Sequence, residues 1–373
     1  MSQKITVLGT RGIPDVPGGV ETHCQNLYPA IKKQFDMDIC VIARSPYVRY
    51  KHTYYKHVET YTLWAPKMQS LEAIVHSFLA ACRTCFDGSD IVHVHAIGPG
   101  ILVPLLRVLG KKVVFTHHGP DYDRQKWGRL AKMVLRLGEK MAVKYANEVI
   151  VISEVINKLI RKKYHRNDAH LIYNGVNSST PLQKETLNAV LERYALQPHN
   201  YLIVVGRLVE EKGIHDAIAA YRRLGAEMPL VLVGDADHPT EYSLRLKKMA
   251  AETANVIMTG CLKGDELQAI FSQARLFIMP SYHEGLPIAL LEAMSYSLPA
   301  VVSDIPANLE VQLPSEFYFE VGNVDALTQK IATLMSAERM DYSSWLKHYD
   351  WQMIARKTVS VYYSIDKKQV NFD

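Results

Sequence analysis

Residues 90–117 read DIVHVHAIGPGILVPLLRVLGKKVVFTH. Two short apolar runs, at 91–94 and 113–116, flank a segment that opens on Gly and Pro and continues with apolar residues at helical spacing. Two buried strands joined this way form a βαβ unit, because parallel strands need a crossover where antiparallel ones need only a turn. The same alternation extends in both directions. Strands are predicted at 5–8, 39–42, 148–152 and 170–172, with helices at 21–33, 73–85 and 101–109. It restarts at 201–205, with a helix at 214–224 and further strands at 230–233, 255–258, 276–279 and 299–303. This pattern predicts an α/β chain of two Rossmann-like, doubly wound domains facing a cleft. A polar stretch at 174–181 has linker composition, which divides the chain into domains 1–175 and 176–345. Residues 346–373 are predicted to form a helical segment crossing back to the first domain, with Trp345, Trp351, Tyr362 and Tyr363 as packing residues. Ligands of such folds bind at the carboxyl ends of the strands, so the chemistry is expected there.

The chain has 373 residues, more than one domain usually holds. Its composition, 22% charged and 48% hydrophobic, excludes a disordered protein. A net charge of +5 suits phosphate-bearing ligands or an anionic membrane surface and falls short of a nucleic-acid binder. The N-terminus has no signal-peptide layout, and the apolar stretches at 74–85 and 101–109 are too short to span a bilayer. The cysteines, Cys24, Cys40, Cys82, Cys85 and Cys261, are scattered and odd in number, which argues for a reducing interior and a cytoplasmic location. Cys82 and Cys85 have C-x-x-C spacing but no matching second pair for zinc, and are expected in the core of a helix.

Three loops carry candidate chemistry. The first, after strand 5–8, runs from Gly9 through Gly12 to Gly18 and Gly19 and opens a helix whose amides can approach an oxyanion. Its spacing is wrong for a dinucleotide fingerprint, and the second strand ends in Arg44 with no acid for a ribose. The second, Gly206-Arg207 with Lys212-Gly213, places a guanidinium and an ammonium where a diphosphate can be held; a solvated turn is the competing reading. The third contains Glu284, Gly285, Pro287 at a helix start and Glu292 inside an apolar helix. A carboxylate among apolar neighbours wants a partner, such as the paired hydroxyls of a ribose.

Taken together, Gly18-Gly19, Gly206-Arg207, Lys212-Gly213 and the spacing of Glu284 to Glu292 resemble retaining family 4 glycosyltransferases of the GT-B fold, over nearly the whole chain. The runs at 9–14 and 116–127 are similar to a bacterial branch that builds surface polysaccharides, often described as rhamnosyl or related transferases, although Pro120 stands where that branch usually has Leu. The resemblance implies a nucleotide-sugar donor (UDP-, dTDP- or GDP-linked) and a glycan or lipid-linked acceptor. By position it implies that Glu292 binds the donor ribose and Glu284 a hydroxyl of the donor sugar. Arg207 and Lys212 would neutralise the diphosphate, amides around Leu286–Ala289 and Gly19 would bind phosphate oxygens, and Gly18, Gly206, Gly285, Leu286, Pro287 and Ile288 would belong to the substrate site. The base would lie near Cys261 and Leu262. His118 would touch the donor sugar, with His117 as competitor and Asn174 as a lesser candidate. The acceptor hydroxyl would enter on the leaving-group face, with its proton passing to a phosphate oxygen; Glu284 as a covalent nucleophile is the minority alternative.

No metal or other cofactor is expected. Asp235 and Asp237 form a D-x-D triplet but follow a strand, where a turn is the simpler reading, and His93 and His95 read as core histidines on a buried strand. A nucleotide-sugar epimerase on the same fold is the alternative enzyme, and an NADP oxidoreductase is suggested only by Arg44. Basic residues interleave with aromatic ones at Arg44, Tyr47, Arg49, Tyr50, Lys51, Tyr54, Tyr55 and Lys56, and again from Arg124 through Lys126, Trp127, Arg129, Lys132 and Arg136. These runs suit peripheral contact with an anionic inner-membrane face.

Overall fold

The computed structural model describes residues 3–66, 69–123, 128–177, 181–236 and 238–370. The chain forms two compact units, one of residues 1–175 with 348–373 and one of residues 176–347.

The first unit holds β1 (Gln3–Leu8), β2 (Met37–Arg44), β3 (His52–Tyr55), β4 (Val58–Leu63), β5 (Ile91–His95), β6 (Lys112–His117), β7 (Glu148–Val151) and β8 (His170–Leu171). The sheet order is β3-β4-β2-β1-β5-β6-β7-β8, parallel except for β3 on β4. The order reverses direction between β1 and β5, which pair directly. The strands expected from apolar runs are present, and β3 and β4 are additional. Buried Thr60 is followed by half-buried Tyr61 and Thr62 in β4, so it lacks the continuous apolar run of a central strand. The crossover from β5 to β6 begins as a 3-10 turn, Pro99–Leu102, and continues as the short helix Val103–Val108. The helix Arg129–Tyr145 crosses it at close range through Gly138, where an added Cβ would stand 2.1 Å from the Ile97 carbonyl oxygen.

Two expectations are corrected here. Cys82 and Cys85 are exposed: the buried positions at the end of the helix Gln69–Thr84 are taken by Ala80, Ala81 and Thr84, and Cys85 falls in the turn after it. Tyr363 is also exposed, at 48%, whereas its neighbour Tyr362 is fully buried. The long helix Trp351–Val370 joins the core of the first unit through Trp351, Ile354, Tyr362 and Ile365, beside Leu27, Tyr28 and Ile31 of the helix Gly19–Gln34.

The second unit holds β9 (Leu202–Val205), β10 (Leu230–Val233), β11 (Val256–Gly260), β12 (Leu276–Met279), β13 (Ala300–Ser303) and β14 (Tyr318–Phe319). All pairs are parallel, in the order β11-β10-β9-β12-β13-β14. This is the doubly wound order, with its switch point between β9 and β12. Both faces of such a sheet are covered by helices, which explains why β9 and β10 are solid runs of Leu, Ile and Val and β12 is apolar throughout.

Candidate active site

The second and third candidate loops leave the two strands that flank the switch point of the second unit. After β9 the chain passes Gly206 and Arg207, makes the turn Glu210–Lys212, and enters a helix at Gly213 with left-handed φ of 62°. A Cβ at Gly213 would stand 2.1 Å from the Pro280 carbonyl oxygen, so glycine is what allows the β9 loop to lie on the β12 loop. The Tyr282 amide donates to the Glu211 carbonyl at 2.8 Å across the same seam. These contacts bring Lys212 Nζ to 2.6 Å from Glu284 Oε1, and the Ser281 hydroxyl donates to the same oxygen at 2.7 Å. Ser281 is buried, and its own carbonyl accepts from Ser303 Oγ. Sequence reasoning missed Ser281, which is one small residue in a loop with nothing in its spacing to mark it. Arg207 is half-buried next to Gly206, whose Cα lies against the Lys212 side chain.

The helix after this loop is Ile288–Ser295, with Pro287 as its N-cap instead of its first helical residue. Leu286 and Pro287 are buried and Gly285 and Ile288 half-buried, and the Ile288 amide is engaged by the Leu286 carbonyl at 2.9 Å. Glu292 is half-buried among Leu291, Ala293 and Met294. Burial pushes its carboxyl up to about 7, and it has no hydrogen-bond partner among the described residues. Cys261 is exposed just past β11, and Leu262 is buried beside it. Asp235 is ion-paired with Lys247 at 2.9 Å, which lowers its carboxyl pKa, and Asp237 lies outside the described residues.

In the first unit the glycine loop is held by an internal anion. The Glu21 carboxylate accepts from the Arg11 amide at 2.8 Å and from the Thr10 hydroxyl at 3.4 Å. Gly18, at φ 147°, leaves room for it: a Cβ there would stand 2.0 Å from Glu21 Oε2. Gly19, the first helical residue, is exposed and open.

The two histidines after β6 part company. His117 is fully buried; its Nδ1 accepts from the Gly119 amide at 3.0 Å, so its Nε2–H donates to Glu139 at 2.9 Å. Burial opposes ionisation of Glu139, but hydrogen bonds from His117, Lys163 and Tyr164 outweigh it and lower the carboxyl to about 2. His118 is half-buried and joins a different group: His95 Nδ1 is 2.9 Å from His118 Nε2, and the His23 ring meets the His118 ring edge-on at 5.0 Å. Asn174 is buried and bonded to His23 Nδ1 at 2.6 Å. Burial lowers His118 well below the ordinary histidine range and brings His23 to about 4, the latter against the Asn174 hydrogen bond. His23, His95 and His118 each offer a nitrogen within 4.8 Å of the others, the one such group among the described residues that could hold a metal ion. His23 was not singled out from the sequence, although a signal existed: it lies one turn before Leu27 on the buried face of its helix, a polar residue at a core position.

Residues 17–180 match the family described as Glycosyltransferase Family 4, and residues 192–348 match Glycosyl transferases group 1. The chain is a GT-B glycosyltransferase of group 1/family 4. The glycosyltransferase is similar to an alpha-maltose-1-phosphate synthase of Mycobacterium tuberculosis, at 27% identity over 60% of this chain and 65% of that protein. It is also similar to the O-antigen chain mannosyltransferase RfbU of Salmonella typhimurium, at 28% identity over 51% of each chain. The matched stretches thus span about half to two thirds of these relatives. Among solved structures it shares its fold with a sucrose-phosphate synthase from Thermosynechococcus elongatus, with a TM-score of 0.82, 19% identity, and coverage of 98% of this glycosyltransferase and 100% of that chain.

Proposed function

We propose that this glycosyltransferase moves a hexosyl or deoxyhexosyl group from a nucleoside-diphosphate sugar, with retention at the anomeric carbon, onto a glycan or lipid-linked oligosaccharide in bacterial surface polysaccharide synthesis. The observation that carries the reading is the seam at the β9–β12 switch point. It sets Lys212, on the loop that begins with Gly206 and Arg207, against Glu284, and the helix that follows Glu284 carries an unpartnered carboxyl at Glu292. Two cations at this place stabilise the charge that builds on a departing diphosphate, and Glu292 is suited to accept from ribose hydroxyls. Glu284, held by Lys212 and Ser281, is better placed to orient a sugar hydroxyl than to attack. His118 contributes a neutral imidazole to the donor sugar, and the acceptor proton leaves with a phosphate oxygen, so that no metal is required. The similarity to RfbU supports a polysaccharide acceptor.

The same reading places the enzyme on an anionic membrane surface. Helix Arg129–Tyr145 exposes Leu130 at 70%, Met133 at 61% and Leu137 at 45%, three apolar residues on one face. Arg129, Arg136, Lys140 and Lys144 are exposed alongside them. An apolar stripe bordered by lysine and arginine is the composition of a helix that lies in the lipid interface. The stretch from Arg44 to Lys56 supports this less. Arg44 is buried and paired with Glu72 at 2.8 Å, Tyr47 donates to Glu72, and Tyr50 donates to the Ile13 carbonyl. Of the second basic run, Arg124, Lys126 and Trp127 lie outside the described residues. No helix among the described residues is long and apolar enough to cross a membrane.

A thermal-shift screen of UDP-, GDP-, dTDP- and ADP-sugars tests the donor reading, because a ligand bound only by the folded chain raises its melting temperature by mass action. Stabilisation by one nucleotide class, followed by transfer to an acceptor with the anomeric configuration kept, is the expected result. Donor turnover without acceptor, giving an epimeric sugar nucleotide, would replace the reading with an epimerase.

A further inference from the structure

Three histidines of the first unit meet at the carboxyl ends of its strands, and the sugar-transfer scheme uses only one of them. His95 closes β5, His118 follows β6 by one residue, and His23 lies in the second turn of the helix Gly19–Gln34. One nitrogen of each ring lies within 4.8 Å of the other two. His95 Nδ1 and His118 Nε2 are 2.9 Å apart. The His23 ring packs against both, its centroid 5.4 Å from that of His95 and 5.0 Å from that of His118. His23 Nε2 is buried and has no hydrogen-bond partner among the described residues. A buried polar atom left in this way calls for a group that the chain itself does not supply.

The far nitrogen of each buried ring is already held. Asn174 Oδ1 is 2.6 Å from His23 Nδ1, and the Tyr28 hydroxyl is 2.5 Å from His95 Nε2. Outer partners of this kind orient a histidine so that its other nitrogen faces a metal ion. His23 and His95 are buried, whereas His118 is half-buried and leaves a side from which an ion can enter. Nitrogens that share one zinc ion at about 2.0–2.1 Å stand about 3.4 Å apart, so ring shifts of about 1 Å suffice to close the site. Three imidazoles without a carboxylate suit zinc, copper or nickel, because magnesium and calcium take oxygen ligands. Three protein ligands leave the fourth position of a tetrahedral ion to water.

We propose that His23, His95 and His118 form a binding site for one divalent transition-metal ion of the zinc class, with Asn174 and Tyr28 as its outer partners. The ion acts on sugar transfer as an inhibitor and not as a cofactor, because it ties the His118 ring to His23 and His95 and withdraws it from the donor sugar. The inhibition rests on the function proposed above; the binding of the ion does not.

Cobalt(II) added to the metal-free full chain reads the site through the visible absorption bands of a tetrahedral complex, and zinc should displace it. One ion per chain is expected, and zinc should raise the melting temperature by mass action. His23→Ala should abolish the bands. Asn174→Ala keeps all three ligands and should weaken cobalt binding about 10- to 100-fold, the usual cost of losing an outer partner. Cobalt bound without those bands, or bound equally well by His23→Ala, overturns the site and assigns the ion to other histidines. If His23→Ala does not fold, Asn174→Ala decides, and wild-type affinity there overturns the site. Saturating zinc should abolish transfer, EDTA should restore it, and zinc should leave the rate of His23→Ala where it was. Zinc held at the three histidines with transfer undiminished would remove His118 from the donor contact and leave the site standing.

Discussion

Lys212 Nζ stands 2.6 Å from Glu284 Oε1, although the two residues leave different strands and are separated by most of a Rossmann repeat. The pair is mostly shielded, with side-chain exposure of 23% and 10%. Its two charges sit on opposite sides of the seam between the β9 and β12 loops. A bound diphosphate would compete with Glu284 for the ammonium.

Arg207→Ala and Lys212→Ala should therefore each lower kcat by about 10²–10³, the usual cost of removing one donor aimed at developing charge. Glu284→Ala should also lower turnover while leaving nucleotide affinity largely intact. Glu292→Ala should weaken nucleotide binding first. Steady-state kinetics with calorimetric Kd values separate these outcomes, and equal small losses at Glu284 and Glu292 would refute the division of labour.

Glu292 gives a pH signature. Its carboxyl is raised from 4.5 to about 7 by burial, so the folded chain holds this proton to higher pH than the unfolded chain does. Its contribution favours the folded state on the acid side of that window and is lost as pH rises through about 7, at most about 3 kcal/mol in all. Glu292→Gln should flatten this slope in urea titrations run from about pH 5 to about pH 8. Nucleotide affinity should run the other way in wild type and tighten as Glu292 ionises, because a carboxylate accepts from both ribose hydroxyls. Affinity independent of pH over that range would argue against the ribose contact.

Transfer should persist in excess EDTA. Asp235 is already engaged by Lys247, and the diphosphate charge is assigned to Arg207 and Lys212. Loss of activity with the chelator and recovery on adding manganese would reverse this expectation.

Leu130→Glu, Met133→Glu and Leu137→Glu should each reduce co-sedimentation with anionic liposomes and leave melting nearly unchanged, since all three side chains are exposed. Charge reversal at Lys140 and Lys144 should weaken binding most at low salt, as each basic residue near such a surface contributes about 1 kcal/mol. Binding indifferent to lipid charge would favour a freely soluble acceptor.

The two-sheet architecture was legible because buried parallel strands are dominated by apolar residues, as at β5 and β6, and become unbroken apolar runs in the repeat of that pattern after residue 200, at β9 and β10. The outer strands were not. His52–Tyr55 and Tyr318–Phe319 at the sheet edges, and Val58–Leu63 next to one, are short or mixed in polarity, which resembles a loop until a neighbour is present. Site residues were legible where a charge was out of place, as for Glu292 in an apolar helix. Ser281 acts through Glu284, three residues on across a turn whose shape the sequence does not declare, and His23 acts through Asn174, 151 positions away, which only the fold supplies. The exposed Cys82 and Cys85 were misjudged because a helix rich in apolar residues does not declare which face meets the sheet.

The return of residues 348–373 to the first unit orders events during synthesis. The second unit is one uninterrupted segment, residues 176–347, and can close as soon as it leaves the ribosome. The first unit, although its sheet is made earlier, lacks Trp351, Ile354 and Tyr362 until the whole second unit has been made. A growing chain therefore carries an open apolar patch on the first unit for the whole time the second unit is being made. A nascent chain stalled before residue 348 should be the species that chaperones hold and proteases cut, with the cuts falling in the N-terminal half.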